Sequence, residues 1–381
     1  MIPYGKQEIS QTDIDSVVSV LKSDFITQGP QIPLFEQKVA NYCGASYGVS
    51  VNSATSALHI ACLSLNLGKG DWLWTSPNSF VASANCALYC GAKVDFVDID
   101  PKTYNLSVKA LEEKLVRAEL DGRLPKIVIP VHFAGQSCNM KRIHFLSRKY
   151  GFRVIEDASH AIGGKYLNKP IGGCNYSDIT IFSFHPVKII TTAEGGLATT
   201  NNADLAEKMK LLRSHGISRN EKLIKSDWLY QQIDLGFNYR MTELQAALGI
   251  SQLKHLDNFV EMRHKIRRCY DELLKDLPIT LPFQDKDCYS AVHLYPILID
   301  LDKVGKSRRQ VFEELRGMGI GVNVHYIPIH TQPYYQDMGF KKGNFPKSET
   351  YYQHAVSIPL FPGLTENDQN KVVFALREVL T

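Results

Sequence analysis

From Tyr47 to Ser183, short strand-like runs alternate with helical segments, and this alternation narrows the possible folds more than any other feature of the chain. Tyr47–Val51, Asp71–Thr75, Val94–Val97, Lys126–Val131, Arg153–Asp157 and Asp178–Ser183 are rich in β-branched and aromatic residues. Between them, Leu58, Ala61, Cys62 and Leu65 fall on one helical face, and Leu106–Ala118 and Met140–Tyr150 have the same period. A further helix of small residues ends near Gly91. Strands separated by helices imply βαβ units and a mostly parallel sheet flanked by helices, an α/β architecture.

Two helical stretches, Asp13–Lys22 and Pro33–Tyr42, lead into this region. After residue 203 the pattern changes. Helices are expected at Leu205–Arg213, Glu243–Leu274, Ser307–Met318 and Glu366–Leu380, with a strand pair at Leu294–Ile299 and Gly321–His325. The division this suggests is a large domain over residues 1–250 and a smaller C-terminal α+β domain over 251–381.

The net charge is only +4 over 381 residues, which points to neither a nucleic-acid surface nor a membrane surface. The chain has no apolar run of membrane-spanning length, and its first residues, Met-Ile-Pro-Tyr-Gly-Lys-Gln-Glu, lack the apolar core of a signal peptide. A cytoplasmic location is expected. Of the eight cysteines only Cys86 and Cys90 are close in sequence, and no HExxH pattern occurs, so reduced thiols and no metal are expected.

Chemistry is concentrated in Phe182-Ser-Phe-His-Pro-Val-Lys-Ile-Ile-Thr-Thr-Ala-Glu-Gly-Gly196. Lys188 stands between an apolar run and a Gly-rich turn. A lysine desolvated there has a lowered pKa and a nucleophilic amine, able to hold an aldehyde cofactor as a Schiff base. Read alone, it is better taken as a solvated loop lysine, as most lysines are. Four other features bear on it. Asn52-Ser-Ala-Thr-Ser56 places hydroxyls and free N–H groups at a helix start, which suits an anion or an ordinary cap. Asp157 ends a strand, where ligands bind in open α/β sheets, or caps the next turn. Ser183 ends another strand. Asn238 and Arg240 precede a helix starting near Thr242.

Taken together, Ser53-Ala-Thr-Ser-Ala-Leu58, Glu156-Asp-Ala-Ser-His160, Ser183-Phe-His-Pro-Val-Lys188 with Glu194-Gly-Gly196, Asn238-Tyr-Arg-Met-Thr-Glu243 and His325-Tyr-Ile-Pro-Ile-His330 resemble the DegT/DnrJ/EryC1/StrS family of sugar aminotransferases. These are pyridoxal 5′-phosphate enzymes of fold type I. The resemblance implies that Lys188 binds the cofactor's aldehyde and then shuttles a proton between substrate carbon and cofactor. Asp157 would pair with the pyridine nitrogen, His160 would sit by the phenolic oxygen, and Phe80 would stack on the ring. Thr55, Ser56 and Ser183 would hold the phosphate, with Asn238 from the other subunit of a homodimer whose active sites lie at the interface. Beyond the resemblance, Tyr4, His325 and Tyr326 are candidates to line the sugar pocket, with packed tyrosines near a proline an equal reading, and Arg240 is a candidate to meet the nucleotide diphosphate or a solvated charge. Arg219, Lys222 and Lys225 are further candidates for that role, better read as solvated charges.

One departure is Ala54, where many members have glycine; its Cβ limits how closely the backbone approaches a phosphate. The alanine form, with Ser159-His160, His293-Leu-Tyr-Pro-Ile-Leu298 and Val324-His-Tyr-Ile-Pro328, resembles one subgroup. That subgroup passes the amino group of L-glutamate, leaving 2-oxoglutarate, to C4 of a UDP-linked 4-keto-6-deoxy-N-acetylhexosamine on the route to pseudaminic acid. Alternatives are a dTDP-linked, GDP-linked or 3-keto sugar, a relative that dehydrates its sugar, and a non-catalytic regulatory protein that binds the cofactor. Dehydrating relatives replace this lysine, and inert ones tend to lose the lysine and aspartate. A nicotinamide enzyme would want a G-x-G-x-x-G after the first strand, and none is present.

Overall fold

A computed structural model describes residues 1–218 and 228–381. Among these, the largest sheet has seven strands. They are β1 (Tyr47–Val51), β2 (Trp72–Thr75), β3 (Lys93–Phe96), β4 (Ile127–Ile129), β5 (Arg153–Asp157), β6 (Ile179–Ser183) and β7 (Gly196–Thr200), in the spatial order β1-β7-β6-β5-β4-β2-β3. The run from β3 through β6 is parallel. β7 is inserted antiparallel between β6 and β1.

The period of two along a strand assigns side chains to two helical layers. Leu73, Ile127, Ile129 and Ile155 pack against helices α3 (Ala54–Ser64), α4 (Ala82–Tyr89) and α7 (Ala203–Arg213). Their neighbours Trp74, Val128 and Val154 point the other way, against α5 (Val108–Leu120) and α6 (Met140–Tyr150). A buried Leu or Ile contributes about 1.5–3 kcal/mol, so both faces need cover, which is why these strands lack polar alternation.

Three expectations are corrected. β7 was not foreseen: Gly-Leu-Ala-Thr-Thr is short, begins on the second residue of a Gly-Gly pair and is buried throughout, so it shows no period. The helix expected over Glu243–Leu274 is two, α8 (Glu243–Leu253) and α9 (Leu256–Leu273), divided at Lys254 and His255. Gly321–His325 is not a strand. Only Asn323 pairs there, exchanging two backbone hydrogen bonds with Ser357 (3.1 and 2.8 Å), before the chain turns away. The neighbours of Tyr295–Ile299 are instead Ile279–Thr280 and Ala355–Ile358, in an antiparallel sheet of three. The helices Arg308–Gly317 and Glu366–Leu380 cover it.

The N-terminal residues join this smaller layer. The Ile2 amide donates to the Gly319 carbonyl (2.8 Å), the Gly321 amide to Ile2 (2.7 Å) and the Leu360 amide to Tyr4 (3.0 Å). Ile329 bonds back to Pro77 (2.9 Å), so both Tyr4 and the segment after Asn323 are held beside the C-terminal ends of the parallel strands.

Helix α2 (Gln31–Cys43) begins at Pro30 with no side-chain cap of its own. Glu243, fully buried at the start of α8, supplies one. Its carboxylate accepts the Gln31 amide at 2.6 Å and the Ile32 amide at 3.2 Å, where the helix dipole favours negative charge. Glu243→Ala is expected to destabilise the protein by about 2 kcal/mol, the scale of hydrogen bonds to a charged group, and Glu243→Gln by less. Urea denaturation of the three proteins checks this; equal midpoints would remove Glu243 from the capping role.

Candidate active site

At the C-terminal ends of the parallel strands a cavity of about 880 Å³ opens. Two other clefts hold about 20 Å³ each and a third about 190 Å³, too small for a nucleotide sugar. Lys188, Asp157, His160, Ser183, Thr55, Ser56, Phe80, Tyr4, His325 and Tyr326 all line the large cavity.

Lys188 sits in the loop joining β6 to β7. The loop is pinned at its base, where Phe184 donates to Gly195 (2.9 Å) and accepts from Thr192 (3.0 Å). Ile189 and Ile190 are buried with Phe35, Phe182, Phe184 and Met241 and anchor the residue just before them. Lys188 is half-buried as a whole, yet desolvation pulls its amine down from 10.5 to about 8, against the opposing pull of Asp157. About one amine in ten is therefore neutral at pH 7, enough for a nucleophile and base.

Asp157 is the buried last residue of β5. The Ser83 hydroxyl donates to its Oδ2 at 2.6 Å, and the Ser159 hydroxyl and amide donate to Oδ1 at 2.6 and 3.1 Å. Ser83 is itself 2.8 Å from the Ser79 hydroxyl. The preceding residue, Glu156, points to the opposite face. There it meets His132 (2.7 Å) and accepts from Ser177 and Thr180, so only one of the two adjacent acids belongs to the site.

At the head of α3, Ser53 accepts from the Ser56 amide (3.1 Å), and the Ser56 hydroxyl donates to Asn52 (2.7 Å). The Ala54 and Thr55 amides occupy the first turn, where a helix cannot satisfy its own donors. Gly196 lies flat against them. A Cβ there would stand 2.5 Å from the Ala54 nitrogen, so glycine lets β7 support this turn from beneath. Amides and hydroxyls at a helix N-terminus suit an anion.

Three imidazoles form the remaining wall. His160 Nε2 lies 3.0 Å from the Tyr326 hydroxyl, while its Nδ1 is buried with no partner. His293 packs against it, ring centroids 4.4 Å apart. His325 Nδ1 lies 2.9 Å from the Ser357 hydroxyl. Burial holds all three pKa values down, and Lys188 adds to the effect. His160 and His293 fall well below their ordinary value and His325 falls to about 3, so these rings work as neutral hydrogen-bonding groups.

Asn238 and Arg240 are placed differently. Asn238 is exposed, and neither residue lines the cavity of its own chain. Arg219, Lys222 and Lys225 lie outside the described residues. Phe80, 60% exposed, stands at the cavity mouth. Sequence reasoning missed the roles of Ser83, Asn78 and His293. Ser83 left a trace in its one-turn spacing from Ser79, and His293 in opening the segment His293–Leu298 that carries part of the resemblance.

The lining fits a phosphorylated pyridine aldehyde. It offers a helix N-terminus for the phosphate, a buried carboxylate for a ring nitrogen, an amine for the aldehyde, and an unpartnered imidazole nitrogen for a phenolic oxygen. Comparison with known proteins agrees. The chain is 39% identical to the UDP-4-amino-4,6-dideoxy-N-acetyl-beta-L-altrosamine transaminase of Campylobacter jejuni, across all of this chain and 98% of that protein. It is 36% identical to the spore coat polysaccharide biosynthesis protein SpsC of Bacillus subtilis, across all of this chain and 97% of that one. The solved structure of Helicobacter pylori PseC, an aminotransferase involved in the biosynthesis of pseudoaminic acid, superimposes with a TM-score of 0.90 at 33% identity, covering 100% and 99% of the two chains. The model of the DegT/DnrJ/EryC1/StrS aminotransferase family matches residues 7–377. With that match and the cavity described above, the chain belongs to this family and is a pyridoxal 5′-phosphate-dependent sugar aminotransferase of fold type I.

Proposed function

We propose that this enzyme moves the amino group of L-glutamate to C4 of a UDP-linked 4-keto-6-deoxy-N-acetylhexosamine, a step of pseudaminic-acid-type sugar synthesis. The observation that carries the proposal is the placement of Lys188 and Asp157 in one cavity large enough for a nucleotide sugar, the amine's pKa lowered by burial to about 8. The names of the two pseudaminic-type relatives support the choice of sugar.

When bound, pyridoxal 5′-phosphate supplies an electron sink that stabilises negative charge at the carbon losing a proton. The residues of this chain do the rest. Thr55, Ser56 and Ser183 hold the phosphate with the α3 amides, completed by Asn238 of the partner subunit. Asp157, clamped by Ser83 and Ser159, keeps the ring nitrogen protonated. Phe80 covers one ring face, and His160 faces the phenolic oxygen. Lys188 takes a proton from the amino-acid carbon and later returns one to sugar C4. Tyr4, His325 and Tyr326 bound the sugar, and Arg240 meets the diphosphate across the subunit boundary. Most of residues 1–250 would carry the cofactor, while 251–381, joined by the N-terminal residues Ile2–Tyr4, would supply His325 and Tyr326 to the substrate.

A homodimer accounts for two further features. Ile14, Val18 and Leu21 form an exposed apolar stripe on helix Gln11–Leu21, continued by exposed Phe25 and Ile26. Asn238 is exposed and does not line its own cavity. Sedimentation as a single 42.9 kDa species would exclude this arrangement. A cytoplasmic site of action is in keeping with eight free cysteines, and among the described residues no helix is long and apolar enough to cross a membrane.

The deciding assay gives the purified enzyme L-glutamate and, in turn, UDP-linked 4-keto-6-deoxy-N-acetylhexosamines of either C5 configuration, dTDP-linked and GDP-linked 4-keto sugars, and 3-keto sugars. The UDP-linked sugar should be preferred by at least about 100-fold in kcat/KM, the lower end of the discrimination that differential pocket contacts supply. Amination of dTDP-, GDP- or 3-keto sugars alone would sink the substrate assignment and leave the aminotransferase intact.

A further inference from the structure

Tyr326 belongs to the smaller layer, but its hydroxyl is turned away from it. Its hydrogen-bond partner among the described residues is Nε2 of His160, at 3.0 Å, and the two rings lie nearly parallel at 20°. The Tyr326 amide is held by Asn78 Oδ1 (3.3 Å), so the ring reaches His160 from a fixed backbone position. The other nitrogen of His160, Nδ1, is buried, lacks a partner and belongs to a residue lining the cavity.

We infer that Tyr326 is a positioning residue acting through His160: its hydroxyl donates to Nε2, holds the ring as the Nδ1–H tautomer, and thereby aims a single donor at the cofactor's phenolic oxygen. This rests on the placement of His160 at that oxygen proposed above. A neutral imidazole has one donor and one acceptor nitrogen, and the partner of one decides the role of the other. Tyr326 can only be the donor of this pair while it keeps its proton. Burial, with Asp157 and Tyr4 close by, pushes its pKa up and keeps it protonated. The titratable groups facing His160 are Lys188, His293, His325 and Tyr326, and their combined effect with burial is to deny the ring a second proton. A buried N–H at Nδ1 without an acceptor is costly, so the empty valence calls for an anionic oxygen on the ligand. The consequence is that the smaller layer tunes the electronics of the cofactor site without touching the cofactor.

The test is the visible absorbance of the enzyme loaded with pyridoxal 5′-phosphate, titrated against pH with no sugar present. A donor at the phenolic oxygen favours the form in which that oxygen is most negative, the deprotonated one, so losing the donor raises the midpoint. His160→Ala should raise it by about one unit, the scale of one charge-assisted hydrogen bond. Tyr326→Phe should raise it by a few tenths, because the ring then divides between tautomers. His160→Gln supplies an amide donor that has no tautomer to set, so adding Tyr326→Phe to it should leave the midpoint in place. A Tyr326→Phe midpoint equal to wild type overturns the inference, as does an equal Tyr326→Phe shift in both backgrounds. A His160→Ala midpoint equal to wild type overturns instead the placement of His160.

Discussion

Replacing Lys188 with alanine is expected to leave a folded protein that binds its substrates and transfers no measurable amino group. Two functions leave with the side chain. Covalent attachment to the cofactor's aldehyde is lost, so borohydride treatment should no longer fix the cofactor to the peptide around residue 188. The positioned proton shuttle is lost as well, a role that contributes about 10²–10⁴-fold in rate. Lys188→Arg should rescue neither, because a guanidinium does not give up its proton near neutral pH. Equal labelling of wild type and Lys188→Ala would disprove the assignment.

The wild-type amine also predicts a pH dependence. Its pKa is lowered by desolvation to about 8, so the rate at which apo-enzyme captures pyridoxal 5′-phosphate should climb with pH up to about 8 and then level. The same shift acts on stability. A lysine whose folded pKa lies below its unfolded value of 10.5 costs stability in full below about 8, and the cost fades as pH rises from about 8 towards 10.5. Apo Lys188→Ala should therefore be the more stable protein at pH 7, and its advantage should shrink across that window. Denaturation at pH 7 and pH 10 measures the difference; an advantage that grew with pH would contradict the burial of the amine.

Asp157→Asn has the second largest expected effect. The substitution keeps the shape and removes the charge. Asparagine's amide nitrogen cannot accept, so Ser83 or Ser159, each now donating to one carboxylate oxygen at 2.6 Å, must lose its partner. Breaking a buried charge pair costs roughly 3–5 kcal/mol, which corresponds to a fall of about 10²–10⁴-fold in rate. The amino-acid half-reaction and the sugar half-reaction should fall together, since both draw on the same ring nitrogen. Asp157 also raises the pKa of Lys188, so in the variant that amine should titrate below about 8. Single-turnover measurements of each half-reaction check the claim; loss confined to the sugar half would place the essential acid elsewhere.

The α/β character was legible in the sequence because periodicity is local. β-branched runs of a few residues separated by helical spacing require a mostly parallel sheet, wherever each strand lies within it. Asp157, Ser183 and Ser53–Ser56 were legible for a related reason: each ends a strand or begins a helix, and in a parallel sheet those ends converge, with Lys188 in the loop that follows one of them. The failures have the opposite cause. β7 carries no period because both its faces are covered. Gly321–His325 is strand-like in composition, but its backbone partners are split, Gly321 with Ile2 and Asn323 with Ser357, and the segment turns to bring His325 and Tyr326 to the cavity.

By itself, then, the sequence determined the class of fold and nominated the amine, the acid and the anion-binding turn, since each stands at the end of an element whose residues are adjacent along the chain. The tertiary structure alone decided which groups meet: Ser83 with Asp157, 74 residues apart, Tyr326 with His160, 166 apart, and His293 against His160. It also placed Asn238 outside the cavity of its own chain. Those meetings follow from the order of strands in the sheet and from where the smaller layer docks. Both are settled by the burial of whole faces, a sum over distant residues that no local pattern records.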